Sequence, residues 1–430
     1  MQNGRWTIVI VNDSACVSGG ADQIGISSAC GLSRRGHSVV LFSASGPADP
    51  SLERAGVRVA CTGQFGILQN PNRLGAAVQG IWNRRAAGEM AALLHSLDPQ
   101  RTVVHVHSWT KALSSSIIPV ALAHGIGVVV TVHDYFLACP NGAFFDYVSG
   151  KICHLKPMSA ACVLTNCDSR SYAQKLWRVA RQHTQLTLGH LPSAIRHFIA
   201  YSRLTRSVIE RYLPADARIY NVHNPIDAEM VSPVNVSQSA AVVYIGRLVL
   251  EKGPLLAAEA SRRANCALRF IGDGYLRSRL EAQYPECEVA GWTSREGIYK
   301  ELERARALVF PSMWYETQGL VVLEAAARGV PAVVADTSAA RESVIDGETG
   351  LWFRGGDVED LAQKLRTLLD DDLVAKLGAA AYSRFWASPP TLAMHVGQLE
   401  NCYQQVLESQ ATMCSSASHT NLEAEHLQND

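Results

Sequence analysis

The chain has no charge of one sign to spare. Lys plus Arg and Asp plus Glu both number 39 in 430 residues, so global charge gives no reason to expect a nucleic-acid partner. Long hydrophobic runs are also missing. The longest uncharged stretch, 112–132, contains Pro119, His124, Gly125 and Gly127 and divides into a helix and a strand, so it fails as a continuous apolar span or a signal segment. That absence places the expected activity on the cytoplasmic side. No internal repeat is seen. The chain has 11 cysteines but no closely spaced Cys-x-x-Cys knuckle, the feature that makes a zinc assignment strong.

What is present is the composition of globular α/β domains, 47% hydrophobic and 18% charged, in a chain long enough for two ordinary cores. Short β-branched runs at 6–11, 38–42, 57–60, 102–106 and 128–132 alternate with helical stretches. This pattern predicts a parallel, doubly wound sheet whose ligand crevice lies at the carboxyl ends of its strands. The first such end runs into Gly19 and Gly20, a glycine pair that opens a helix and lets backbone approach a phosphate or sugar. His133 follows the fifth strand and faces the crevice, so it ranks above His107 and His105 as a functional candidate, with Asp134 a less certain neighbour.

The second half carries the densest chemistry. Residues 307–310 form a buried strand, Pro311 and Ser312 end it, and helical spacing resumes from Gly319. Glu316 therefore sits in the loop and Glu324 on the helix's second turn, two acids suited to a ligand rich in hydroxyls. The amides at Gly319 and Leu320 open the helix, where an anion is favoured. Upstream, a strand and the turn at Gly246 present Arg247 and Lys252, cations of the kind that hold a diphosphate. Gly272, Gly274 and the Gly291-Trp292 turn follow further strand-like runs. Hydroxyl binders beside phosphate binders read as a nucleotide-sugar site.

From about 242 to 365 this order of motifs, G-R-x-x-x-E-K-G, then G-D-G, then the Glu316/Glu324 pair, resembles the carboxy-terminal half of family 4 glycosyltransferases. The resemblance implies the GT-B fold, two Rossmann-like doubly wound domains facing across a cleft, and retaining transfer of a hexosyl group to an acceptor hydroxyl without a catalytic cofactor. It implies that Arg247 and Lys252 bind the donor diphosphate, that Glu316 contacts the transferred sugar, and that Glu324 holds the ribose hydroxyls. It further implies that His133 lies near the sugar, and that Gly19, Gly20, Gly246, Gly272, Gly274, Gly319 and Leu320 line the donor site. The family usually has phenylalanine where this chain has Gln318. The donor is expected to be a UDP- or GDP-sugar, and the acceptor a glycan or polyprenyl-diphosphate-linked glycan of polysaccharide or lipopolysaccharide assembly. Rival readings are a GT-B relative of another class, an epimerase or phosphorylase, and a non-catalytic sugar-nucleotide binding protein.

The expected organisation is an amino-terminal acceptor-side domain over 1–223, a nucleotide-sugar domain over 224–388, a helix crossing back over 389–410, and a disordered tail over 411–430. A Cys-rich insertion at about 139–180 holds Cys139, Cys153, Cys162 and Cys167. Structural zinc, disulfides and buried free thiols all remain open there. From 169 to 209 there are seven Lys/Arg and no acid. On a helix, Arg170, Tyr172, Lys175, Trp177, Arg178 and Arg181 compose a face suited to anionic lipid headgroups, at the inner side of a membrane, or else a solvated basic face with Trp177 in the core.

Overall fold

The computed structural model describes residues 5–426. Its strands, in chain order, are β1 (Thr7–Ser14), β2 (Ser38–Ser45), β3 (Arg58–Cys61), β4 (Thr102–Val106), β5 (Gly127–Thr131), β6 (Phe145–Asp146), β7 (Lys151–Ile152), β8 (His197–Ala200), β9 (Arg218–Asn221), β10 (Val242–Ile245), β11 (Leu268–Ile271), β12 (Glu288–Gly291), β13 (Ala307–Phe310), β14 (Ala332–Ala335) and β15 (Gly350–Phe353). Two sheets result, ordered β3-β2-β1-β4-β5-β8-β9 and β12-β11-β10-β13-β14-β15, while β6 and β7 make a separate hairpin inside the Cys-rich stretch. Every neighbouring pair in the two large sheets is parallel.

Parallel sheets are covered on both faces, so their central strands read as continuous apolar runs rather than alternating ones. Residues of β4, β10, β13 and β14 are buried without exception. In each sheet the strand order reverses beside the first strand, β1 between β2 and β4 and β10 between β11 and β13. Crevices form at such switch points. This is the α/β architecture of two Rossmann-like units.

Beyond β15 the helix Val358–Thr367 begins at Asp357, whose side chain accepts from the amides of Glu359 and Asp360, both at 3.0 Å. Such a cap contributes about 1 kcal/mol. The last helix, Leu392–His426, returns to the first sheet. Val396, Leu399, Tyr403 and Val406, at helical spacing, join the core of Ile8, Ile10, Val103 and Val129. Tyr403 Oη lies 2.7 Å from His105 Nδ1, and Glu400 takes both Arg35 (3.2 and 2.7 Å) and His37 (3.0 Å). The helix runs past residue 410, so the stretch expected to be disordered is helical as far as His426, and 427–430 fall outside the described residues. No glycine or proline follows Gly397 to end it. Among the described residues no helix is long and apolar enough to cross a membrane.

Candidate functional site

Lys252 and Glu316 leave the carboxyl ends of adjacent strands, β10 and β13, and their side chains form an ion pair. Glu316 Oε2 also accepts from Ser312 Oγ at 2.9 Å and Trp314 Nε1 at 3.1 Å. Burial alone pushes this carboxyl up, but Lys252, with the two neutral donors, holds it below the ordinary glutamate range. Arg247, five residues earlier in the same loop, is 67% exposed, with Glu251 at 3.6 Å beside it. A cation with that freedom can reach an anion entering the crevice.

Four glycines set this geometry. Gly319 has φ +107 and starts the helix Leu320–Ala327, and a Cβ there would come within 3.0 Å of Ala340 and 3.2 Å of Phe310. Gly272 has φ +144, and a Cβ on it would collide with the Gly246 carbonyl. Gly246 and Gly272 thus close the β10 and β11 loops onto each other. Gly274 backs in the same way onto the Leu248 carbonyl.

The first sheet contributes the opposite wall. Gly19 and Gly20 are exposed at the start of the helix Gly20–Arg34, and a Cβ on Gly20 would lie 3.9 Å from Leu320, which opens the helix after β13. The loop before them is fixed by the buried Asp22, which accepts from Asn12 Nδ2 at 2.9 Å and from the Ser18 amide at 3.2 Å. His133 Nε2 lies 2.9 Å from His107 Nδ1 and 3.3 Å from Tyr201 Oη. Burial, then His395 and Lys111, lower the His133 pKa to about 3, leaving the ring neutral at ordinary pH. His105 has both ring nitrogens occupied, by Tyr403 and by Thr131 Oγ1 at 2.6 Å, and serves the core. Asp134 caps the Phe136 amide at 3.1 Å, and burial raises its pKa to about 6.

The motif loop joins the two walls. Thr317 Oγ1 donates to the His133 carbonyl at 3.2 Å, and the Thr317 carbonyl accepts from Thr205 Oγ1 at 3.2 Å. Gln318, where the family usually has phenylalanine, bonds Asn224 of the linker. Glu342 accepts the amides of Arg203 (3.0 Å) and Leu204 (2.8 Å) from across the division. Sequence reasoning missed Ser312, Trp314, Thr317, Tyr201 and Asp22: Thr317 and Tyr201 make contacts distant in sequence, whereas Ser312 and Trp314 stand four and two residues before Glu316 and Asp22 four after Ser18, a local spacing that could have pointed to them.

Two expectations need correction. Cys139, Cys153, Cys162 and Cys167 are free thiols, and among the described residues no three of His, Cys, Asp or Glu form a group able to hold a metal. Lys175 Nζ stands 3.2 Å from Cys167 Sγ and 3.6 Å from Cys162 Sγ, an ammonium where a cation would have to sit. The structural zinc therefore has no support. The basic face of the helix Tyr172–Thr187 is likewise absent. Lys175 and Arg181 are buried, Arg178 pairs with Asp168 at 2.7 Å, and Arg181 lies 4.6 Å from the Phe136 ring centre and 5.4 Å from that of Trp177. Burial brings the Arg181 pKa down to about 10. Of the cations expected on that face only Arg170 is exposed.

Comparison with known proteins agrees with this architecture. The model of glycosyl transferases group 1 matches residues 226–384, and that of glycosyltransferase family 4 matches residues 18–230. The chain is 28% identical over 293 residues to a glycogen synthase of Mycobacterium tuberculosis, covering 65% of this chain and 63% of that enzyme. It is 37% identical over 138 residues to the sulfoquinovosyl transferase SQD2 of Arabidopsis thaliana, covering 30% of this chain and 26% of the relative. The matches thus span less than two thirds of either relative. Among solved structures, Anabaena HepE in complex with UDP and glucose superposes with a TM-score of 0.61 at 16% identity, covering 95% of this chain and 100% of that one. Sucrose-phosphate synthase from Thermosynechococcus elongatus gives 0.67 at 15% identity, covering 94% and 100%. At such identity the likeness is one of fold. With two family models spanning most of its length and two parallel doubly wound sheets meeting at a crevice, the chain belongs to the family 4 glycosyltransferases of GT-B fold.

Proposed function

We propose that this chain is a retaining glycosyltransferase that moves a hexosyl group from a UDP- or GDP-sugar to a hydroxyl of a lipid-linked glycan. The observation that carries the reading is the Lys252–Glu316 pair at the ends of two adjacent strands, with the exposed Arg247 five residues before the lysine. In this reading the diphosphate lies against Arg247, Lys252 and the amides at Gly319 and Leu320. Glu316 meets the sugar, Glu324 the ribose, and Gly19 and Gly20 admit the phosphates from the other wall. Breaking the sugar–phosphate bond leaves charge on the diphosphate, so these cations act mainly in the transition state.

Retention without a covalent intermediate fits the state of Glu316. Three donors on Oε2 and the Lys252 charge, which holds the carboxyl below the ordinary glutamate range, make the Glu316 carboxylate a weaker nucleophile. The leaving phosphate then takes the acceptor's proton on the front face, and the neutral His133 positions the sugar. The acceptor does not follow from the relatives, whose names indicate different products.

A membrane-facing acceptor domain is favoured by surface chemistry. Residues 1–223 hold 21 Lys/Arg against 11 Asp/Glu, and no acid occurs from 54 to 88. Within that acid-free stretch Leu74 (82% exposed) and Val78 project from the helix Arg73–Ile81, which packs against Trp177, and Leu68 and Phe65 project from the loop before it. Apolar anchors among cations suit the anionic inner face of a bilayer. The test of the activity is release of nucleoside diphosphate from UDP-, GDP- and ADP-sugars by purified protein with membrane lipid extract. Release that depends on the extract supports the reading; no release from any donor overturns it.

A further inference from the structure

The two acids of the motif are held in opposite ways. Glu316 has three donors on one oxygen, whereas Glu324, equally buried at 8% exposure, accepts no hydrogen bond from any described group. The cation beside it is Arg295, whose Nη2 lies 3.6 Å from Glu324 Oε1, too long for a good hydrogen bond. Arg295 is the first residue of the helix Arg295–Leu302, which starts where Ser294 caps the Gly297 amide just beyond β12. Its Nη1 is 3.5 Å from Asp227 in the segment linking the two sheets, and its buried Nε has no hydrogen-bond partner among the described residues. Tyr299, one turn on, donates to the Asp227 carbonyl at 2.6 Å, and Arg328 lies 4.5 Å from the Tyr299 ring centre.

A buried carboxylate without donors is costly unless a ligand supplies them. Vicinal hydroxyls would supply two. From this geometry we infer that Arg295 is a positioning residue for donor binding, aiming the Glu324 carboxylate at the ribose diol and tying it through Asp227 to the linker. This inference rests on the nucleotide-sugar reading above. Around Glu324 the charged and titratable groups are Arg295, Tyr299, Arg328 and Asp227. Burial raises the Glu324 pKa, and among these Arg295 is the group that opposes the rise. Without Arg295 the acid would therefore protonate at higher pH and lose one acceptor site for the diol.

The experiment uses the full chain, first choosing among UDP, GDP and ADP the diphosphate that binds, then comparing it with its 2′,3′-dideoxy form by calorimetry from pH 5.5 to 8. Arg295→Gln is expected to weaken the ribonucleotide about tenfold, the scale of one hydrogen bond to a charged group. The loss should grow as pH falls, while the dideoxy form changes less than about twofold. Arg295→Lys should restore most of the affinity. Glu324→Gln should abolish the discrimination, with no further loss on adding Arg295→Gln. Should Arg295→Gln fold poorly, Asp227→Asn tests the linker anchor and is expected to give a smaller, diol-dependent loss. Equal weakening of both nucleotides by Arg295→Gln, or no weakening, overturns the inference while leaving the donor site standing. Failure of the unaltered protein to bind any diphosphate overturns the donor site and the inference together.

Discussion

The two halves of this chain are near opposites behind a balanced total. Residues 1–223 carry 21 Lys/Arg and 11 Asp/Glu, and residues 224–430 carry 18 and 28. Histidine divides as sharply, with none between 224 and 388. Both halves build the same kind of parallel sheet. Shared architecture therefore does not imply shared chemistry. In the second half the notable groups lie just beyond strand ends, Arg247, Lys252 and Glu316 in loops or short turns and Glu324 on the helix that follows. In the first half they form a chain of tilted rings, the buried His105, His107 and Tyr201 with the half-buried His133 between the last two.

The largest expected difference lies in turnover. Lys252→Ala is expected to lower donor turnover about 10²- to 10³-fold, the usual loss on removing one preorganised donor to a developing anion, whereas Tyr201→Phe on the facing wall should cost less than about tenfold. Rate assays with saturating donor check this. Equal losses would mean that the chemistry is not concentrated in the second half.

Next comes the joint between the halves. Thr317→Val removes the bond to the His133 carbonyl, so kcat is expected to fall about tenfold while nucleotide affinity stays within about twofold. Thr317→Ser should preserve both. A loss of nucleotide affinity would place Thr317 in the donor site itself.

Acid should separate the halves by stability. His105 and His107 are pushed well below the ordinary histidine pKa by burial, and His197 and His395 to about 4. Each therefore takes up a proton on unfolding once pH drops below about 6.5. Their contribution is fully present above that value and declines as pH falls toward the folded pKa, by on the order of 1–2 kcal/mol per histidine at pH 5. Hydrogen exchange at pH 7 and pH 5 should show protection lost first in the β4, β5 and β8 strands. Uniform loss across both sheets would contradict this.

The smallest effect concerns the surface. Leu74→Asp with Val78→Asp is expected to remove flotation with anionic phospholipid vesicles while thermal stability stays nearly unchanged, since both residues are exposed. Retained flotation would move the membrane contact elsewhere.

Much of this was legible in the sequence. Apolar runs marked the strands because parallel sheets are buried on both faces, and Gly319 with Glu316 and Glu324 marked the loop because a left-handed residue must precede that helix. The basic helix misled for a physical reason. Composition reports cations but not their partners, and Lys175, Arg178 and Arg181 found thiols, a carboxylate and aromatic rings inside the fold. The cysteines suggested a metal on number alone. Arg295 gave no signal, since its significance lies in its approach to Glu324, 29 residues away, after both helices have packed.

Arg247 and Lys252 are expected to grip a diphosphate whose ribose reaches Glu324. A crystal structure of the full chain with its nucleoside diphosphate tests it most directly. Phosphate oxygens are expected within hydrogen-bond distance of both cations, and ribose hydroxyls on the Glu324 carboxylate. A diphosphate seated on the first sheet, away from Arg247 and Lys252, would contradict it.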